Sequence, residues 1–205
     1  VFLLVSGFIA YNLFKPKDKK VIVVDSIIEA PEQRVVPAKE FVPETMFTEI
    51  TAEAGIEFEH NNGAVGDKLL PESMGSGVAF FDFDVDGDQD LLFINGTWWP
   101  WDIKKKPELK PTTSGLYRND GNGVFEDVTV GSGLDVAFYG MGVAIGDYDN
   151  DGLPDIYCTA VGSNRMYRNL GDGKFTDTTG VAKVAGGENE WSTSAAFADI
   201  DNDGD

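Results

Sequence analysis

Three short segments of the chain place aspartates at every second position. They read DFDVDGDQD at 82–90 (the first loop), DYDNDGLPD at 147–155 (the second loop) and DIDNDGD at 199–205 (the third loop). Each has Asp at positions 1, 3 and 5 and Gly at position 6, and the first two have Asp again at position 9. Alternate carboxylates around a turn that glycine permits are the hard oxygen ligands that Ca²⁺ prefers. The pattern predicts one structural Ca²⁺ ion in each loop.

The expected ligands are the aspartate side chains of all three loops, together with the main-chain carbonyl groups of Asp88 and Leu153 at position 7. The side chains are Asp82, Asp84, Asp86 and Asp90, then Asp147, Asp149, Asp151 and Asp155, and finally Asp199, Asp201, Asp203 and Asp205. The expected dissociation constant is that of extracellular calcium modules, about 10⁻⁴–10⁻³ M or somewhat tighter.

Two other interpretations of the loops are weaker. An EF-hand loop needs a bidentate Glu at position 12 and a helix on either side, whereas position 12 is Phe93 in the first loop and Cys158 in the second. The flanking runs, such as GVAFF and LLFIN, are short and apolar and are typical of strands. Solvated acidic turns are also conceivable, because Asp and Gly favour turns. Repetition in phase at strand junctions argues for the metal.

A longer repeat contains the loops. The segments LYRNDGNGVFEDVT at 116–129 and MYRNLGDGKFTDTT at 166–179 lie 50 residues apart. A repeat of about 50 residues with four strand-like segments is typical of a propeller blade. We therefore expect an all-β protein, a β-propeller. The expected strands are 77–81, 90–95, 115–119 and 124–129 in blade one, 142–146, 155–160, 165–169 and 174–179 in blade two, and the start of blade three near 194.

These motifs resemble the FG-GAP or VCBS repeats of integrin α-chain propellers. The stretches HNNGAVGDKLLPESMGSGVAFFDFDVDGD, YGMGVAIGDYDNDG and WSTSAAFADIDNDGD are more closely similar to bacterial relatives of cartilage acidic protein, which often end in an ASPIC/UnbV domain. The resemblance covers about 44–205. It implies an exported propeller, commonly of about seven blades, that Ca²⁺ stabilises. Because a ring needs about four blades to close, we expect the chain to be an N-terminal fragment of about two and a half blades.

Two segments fall outside the regular repeat. MFTEITAEAGI at 46–56 resembles a fourth strand and its exit, and we expect Phe47–Thr51 to close the ring against the final blade. Blade one carries extra residues in 60–76 and 96–114. The second of these holds Trp98, Trp99 and Trp101 beside the lysines 104–106, which either bind a glycan or protein partner or pack the insertion onto the blade.

The N-terminal region has a different composition. Residues 1–14 are apolar and are followed by KPKDKK, so we interpret 1–20 as a truncated signal anchor, 21–43 as a linker and 44–205 as the partial propeller. This interpretation predicts a protein that is exported, anchored to the membrane by its N-terminal segment, and located on the periplasmic or extracellular face. Taken alone, the lysines of KPKDKK would place this end of the anchor in the cytoplasm, which conflicts with export. A more basic segment before residue 1 would remove the conflict.

The net charge and the single cysteine limit the classes of function that the chain could have. A net charge of −19 argues against nucleic acid as a partner. The sole cysteine, Cys158, lies in an apolar strand and is expected to be buried and inert. We expect a non-catalytic binding or adhesion module that presents loops to a protein or glycan at the cell surface. The alternative is an exported enzyme acting on polysaccharide at the channel mouth, with Lys68 or the single histidine, His60, as acid or base.

Overall fold

The computed structural model describes residues 46–201 of the chain. Two four-stranded antiparallel sheets make up most of this part. The strands are β1 (Val78–Phe81), β2 (Asp90–Phe93), β3 (Gly115–Asn119) and β4 (Phe125–Asp127), then β5 (Gly140–Gly146), β6 (Asp155–Ala160), β7 (Arg165–Asn169) and β8 (Phe175–Asp177). The helices are short: a 3₁₀ turn (Leu70–Ser73), α1 (Pro100–Lys105) and α2 (Thr179–Ala182).

Each sheet is a simple meander, ordered β1-β2-β3-β4 and β5-β6-β7-β8. The registers repeat: Leu91 lies opposite Tyr117 in the first sheet, and Ile156 lies opposite Tyr167 in the second. The prediction of all-β propeller blades is confirmed. The expected bounds are closest for β3, β6 and β7, whereas β2, β4 and β8 are shorter than expected. One reason is that Asn95 leaves the ladder, since its side-chain amide donates to the carbonyl groups of Glu59 and Thr113.

The apolar core lies between the two blades. It joins Phe81, Phe83 and Leu92 of the first blade to Ile156 and Phe175 of the second, all of them at most 5% exposed. The first strands of the two blades are adjacent, because the Gly77 N–H just before β1 donates to the Met141 carbonyl of β5 at 2.6 Å. Blades that meet face to face through their apolar sides are what the propeller architecture requires.

Cys158 belongs to this core. It is only 2% exposed, and burial raises the pKa of its thiol to about 12. A protonated, enclosed thiol is a poor nucleophile. The expectation of a buried cysteine is confirmed.

The expected first strand of a third blade, near residue 194, does not form. Residues 192–200 belong to no strand, and the nearest pairing is an isolated bridge between Val161 and Trp191. A first strand is held by the second strand of its own blade, and no strand follows Trp191 in the described part of the chain.

The segment 46–56 docks onto blade one as the sequence likeness suggests. The Phe125 N–H at the start of β4 donates to the Ala54 carbonyl at 2.8 Å, and the Phe175 N–H of β8 donates to the Ser132 carbonyl at 2.7 Å. The turn before blade one thus imitates the exit of β4. Phe47 is 94% exposed, and its pairing with a final blade stays a prediction.

Some expectations concern residues outside the described range. They are the signal anchor (1–20), the linker (21–43) and two aspartates of the third loop, Asp203 and Asp205. Within residues 46–201, no helix has the length and apolar character needed to cross a bilayer.

Candidate metal centre

The first and second loops connect the first two strands of each blade and are built by the same hydrogen bonds. Asp82 accepts the Asp86 and Gly87 N–H groups at 3.0 and 2.9 Å. Asp147 accepts the N–H groups of Asp151 and Gly152 at 3.1 and 2.8 Å. The aspartate at position 1 therefore folds the loop back on itself and draws positions 3 and 5 towards it.

The turn depends on glycine at position 6. Gly87 has φ +100° and Gly152 has φ +88°, a region that side chains strain to enter. Position 4 is also left-handed, at Val85 (φ 60°) and Asn150 (φ 56°). The two left-handed residues flank position 5 and reverse the chain tightly, which lets alternate side chains converge.

The convergence produces two clusters of three carboxylates. In each cluster one oxygen per residue lies within 4.8 Å of the others. The clusters are Asp82, Asp84 and Asp86 in the first loop and Asp147, Asp149 and Asp151 in the second. Three hard, anionic donors in such proximity match the chemistry of Ca²⁺ and repel one another without a cation.

The geometry of the first loop fits a cation. Oδ1 of Asp84 is enclosed and has no hydrogen-bond partner. Burial, reinforced by the charges of Asp86 and Asp82, raises the pKa of the Asp84 carboxyl. A buried carboxylate oxygen without a donor is costly. A metal ion at this point would satisfy that oxygen and relieve the repulsion.

In the second loop an internal cation lies against the cluster. The Arg168 guanidinium contacts Asp149 Oδ2 through Nε at 2.5 Å and Asp151 Oδ2 through a terminal nitrogen at 2.8 Å. A hydrogen bond from Arg168 lowers the pKa of the Asp151 carboxyl. The guanidinium thus supplies positive charge that partly neutralises the carboxylates of the second loop.

The aspartate at position 9 has a role that the sequence analysis missed. Asp90 accepts the Phe83 and Asn119 N–H groups at 3.0 and 2.8 Å, and Asp155 accepts those of Tyr148 and Asn169 at 3.0 and 2.7 Å. Both carboxylates are fully buried, and burial raises the pKa of each. They clamp the loop to the third strand of the blade.

Position 9 lies outside both three-carboxylate clusters. Its oxygens retain lone pairs beyond those used by the N–H groups, so its role as a ligand stays a prediction, as does that of the position 7 carbonyls.

The asparagine that recurs in the YRN segments was the sequence signal for the position 9 clamp, because its N–H group donates to the aspartate in both blades. Asn169 also donates to the Phe83 carbonyl of the first loop at 2.8 Å, linking the two blades.

The tryptophans of the insertion have different environments. Trp99 is 7% exposed, stacks on Tyr139 of blade two at 4.4 Å, and donates from Nε1 to Glu72 Oε1 at 2.8 Å. Trp101 stacks on Trp99 at 5.1 Å but is 44% exposed. Trp98 is half-buried. Trp99 therefore packs the insertion, and of the three only Trp101 presents a large accessible surface.

His60 and Lys68, the acid or base candidates, are exposed. His60 Nε2 lies 3.0 Å from Ser76 Oγ, which itself donates to the Gly140 carbonyl. Neither residue forms an ion pair with a carboxylate in residues 46–201. The geometry brings together no acid and base pair at these positions.

Comparison with known proteins agrees with the repeat. No curated protein matches the chain. The family model for the FG-GAP-like repeat matches residues 110–158 and 154–205, a region that contains the second and third loops. Residues 110–205 thus match two FG-GAP-like repeats, and the two four-stranded antiparallel sheets are consistent with blades of an FG-GAP β-propeller.

Proposed function

We propose that the chain is part of an exported, calcium-stabilised β-propeller that acts as a non-catalytic binding or adhesion module at the cell envelope. The observation that carries this proposal is the pair of loops with one hydrogen-bond pattern, each gathering three carboxylates around one point. FG-GAP repeats are typically binding modules and often hold Ca²⁺, which supports both parts of the proposal.

The ion would act on stability through the loop it closes. Phe83 follows the first ligand, Asp82, and is 1% exposed in the core between the blades. Fixing the loop therefore fixes an aromatic contact, since Phe83 and Phe175 lie 6.3 Å apart across the blade boundary. At a Ca²⁺ concentration 100 times the dissociation constant, one ion adds about 2.7 kcal/mol to the folded state. This is a large share of the usual stability of about 5–15 kcal/mol.

Export suits the expected affinity, because a site of about 10⁻⁴–10⁻³ M fills only where calcium is abundant, outside the cytosol. Attachment to the membrane would come from residues 1–20. The finer resemblance to relatives of cartilage acidic protein, with an ASPIC/UnbV domain beyond this chain, belongs to the same proposal.

The use of the repeated polar groups supports a non-catalytic role. Asp90, Asp155 and Asn169 bind main-chain groups of the scaffold. The surface offered to a partner would be the exposed side of α1, where Trp101 adjoins the exposed lysines 104–106. In a protein of net charge −19 this local positive charge suits an acidic glycan or an acidic protein surface.

Thermal unfolding in Ca²⁺ and in EGTA tests the calcium part of the proposal. We expect the parent chain to melt at a higher temperature in millimolar Ca²⁺ than in EGTA, and we expect Asp149→Ala to reduce that difference. Asp67→Ala, an exposed aspartate outside the loops, is the matched control. If the Asp149 variant melts like the parent in both buffers, the second loop is only an acidic turn.

Location and binding need separate tests. Protease treatment of cells whose outer envelope has been permeabilised should digest the propeller if it is exported, whereas complete protection until the cytoplasmic membrane is lysed would contradict export. Polygalacturonate is a suitable acidic glycan probe. Binding that weakens with salt and with Trp101→Ala supports the proposed surface, and equal binding by the variant argues against it.

A further inference from the structure

The two blades treat equivalent arginines differently. Arg118 and Arg168 occupy the same place in the YRN segments of β3 and β7. Arg118 pairs with Glu126 of β4 at 2.6 Å. Arg168 instead contacts Asp149 and Asp151 of the second loop.

The residue on the neighbouring strand explains this difference. Arg118 lies directly opposite Glu126, and Arg168 lies directly opposite Thr176. Opposite charges in such cross-strand positions attract each other. Threonine offers the guanidinium no charge, so the nearest anions for Arg168 are the loop carboxylates.

Arg118 lies near enough to the first loop for its charge to act on Asp84, but within residues 46–201 its ion pair is with Glu126 and not with a loop carboxylate. Asp84 Oδ1 has no hydrogen-bond partner. In the second loop, the guanidinium contacts two of the three clustered carboxylates. A divalent ion that uses these oxygens as ligands must move the guanidinium aside.

We propose that Arg168 is a resident counter-ion of the second loop that Ca²⁺ has to displace, so that the first loop binds Ca²⁺ more tightly than the second. This inference rests on the proposed calcium function and adds an order of filling to it. Thr176 and Glu126 set that order from the neighbouring strands. Blade two, already partly neutralised, then depends less on calcium than blade one.

Calcium titration calorimetry of the 205-residue chain tests the order. Asp149→Ala isolates the first loop and Asp84→Ala isolates the second, with Asp201→Ala present throughout to silence the third. We expect the isolated first loop to bind more tightly. Arg168→Gln and Thr176→Glu should each tighten the isolated second loop by about 3- to 30-fold, because Ca²⁺ then no longer has to break two partly exposed ion pairs.

Variants at blade one make the reverse test. Glu126→Thr releases Arg118 and should weaken the isolated first loop by a similar factor. Glu126→Thr combined with Thr176→Glu should reverse the order of the two loops. Arg165→Gln is the control, because Arg165 is on the same strand as Arg168 but pairs with Asp177 at 3.3 Å.

A double-mutant cycle separates the counter-ion from a general effect of added charge. If Thr176→Glu acts by holding Arg168, it should change the affinity little once Arg168→Gln is present. An equal gain in both backgrounds overturns the proposal. So does an unchanged affinity of the second loop in both single variants. If neither loop takes up Ca²⁺ in any background, the calcium function fails as well, which the titration reports separately.

Discussion

Aspartates that look alike in the repeat perform different tasks. Asp84 keeps a buried oxygen without a partner, whereas Asp90 gives both of its oxygens to main-chain N–H groups. The spacing of the motif predicts convergence, but it does not tell which carboxylate binds protein and which remains available. That distinction depends on β3, which lies about 29 residues further along the chain and donates the Asn119 N–H.

The position 9 clamp should contribute stability without any metal. Asp90→Asn and Asp155→Asn each replace an accepting oxygen with an NH₂ group that faces a main-chain N–H. We expect each to cost about 1–3 kcal/mol of unfolding free energy in EGTA, measured by urea denaturation. Asp86→Asn, in an exposed position of the same loop, is the control and should cost much less. Equal, small losses of unfolding free energy in all three variants would show that position 9 does not clamp the loop.

The pH dependence of stability follows from the same residues. Burial raises the pKa of Asp84, Asp90 and Asp155, so the folded state holds these protons more tightly than the unfolded chain does. The resulting stability is complete below the ordinary carboxyl pKa and is lost as the pH rises through the raised pKa values.

Carboxyls with a lowered pKa, such as Asp151, are ionised in both states above about pH 5 and do not oppose this trend. In buffer freed of calcium by a chelating resin, the stability that the carboxyls of Asp84, Asp90 and Asp155 contribute should therefore fall as the pH rises from about 4, the ordinary carboxyl pKa, through their raised pKa values, and saturating Ca²⁺ should reduce that fall. A contribution that grows with pH over this range in calcium-free buffer would contradict the assignment.

The packing role of Trp99 and the surface role of Trp101 predict different losses of stability. Trp99→Ala should cost about 3–5 kcal/mol, because it empties a buried site and removes the donor to Glu72 Oε1. Trp101→Ala should cost about 1 kcal/mol, the value of an exposed aromatic stack. Urea denaturation of the two variants makes the comparison. If Trp101 is the costlier residue, the binding surface proposed on α1 has been misplaced.

At the scale of elements, the repeat was the most reliable guide. Strands β3, β6 and β7 have the bounds expected from the sequence, because a 50-residue repeat aligns each with its equivalent and the glycine-rich hairpins fix the register. The stacking of Trp99 on Tyr139 joins an insertion to the next blade. No local sequence pattern encodes a contact over that sequence separation, so the sequence alone could not decide whether Trp99 packs or binds a partner.

The ring-closing segment provides the prediction at this scale. Its turn accepts a hydrogen bond from the start of β4, just as the turn after β4 accepts one from the start of β8. Phe47 and Ile50 of this segment are 94% and 56% exposed. If a final blade closes the ring as predicted, it should cover these side chains. Deleting residues 44–52 should then accelerate limited proteolysis and lower the melting temperature. Proteolysis and melting at the parental rates would identify the segment as linker.

For the whole molecule, the account predicts that calcium and apolar packing act on the same boundary. The first loop lies at the blade junction through Phe83, and Asn169 of blade two donates to the carbonyl of that residue. The charge of −19 makes an uncompensated loop costly in every blade. We therefore expect bound calcium to stabilise the fold.

Equilibrium dialysis with radioactive calcium tests the central claim most directly. At a free calcium concentration about ten times the dissociation constant, the parent chain should retain close to one ion in each of the first and second loops. The double variant Asp84→Ala with Asp149→Ala should lose that uptake, while Asp67→Ala keeps it. Absence of uptake by the parent, or equal uptake by the double variant, would contradict a calcium-stabilised propeller.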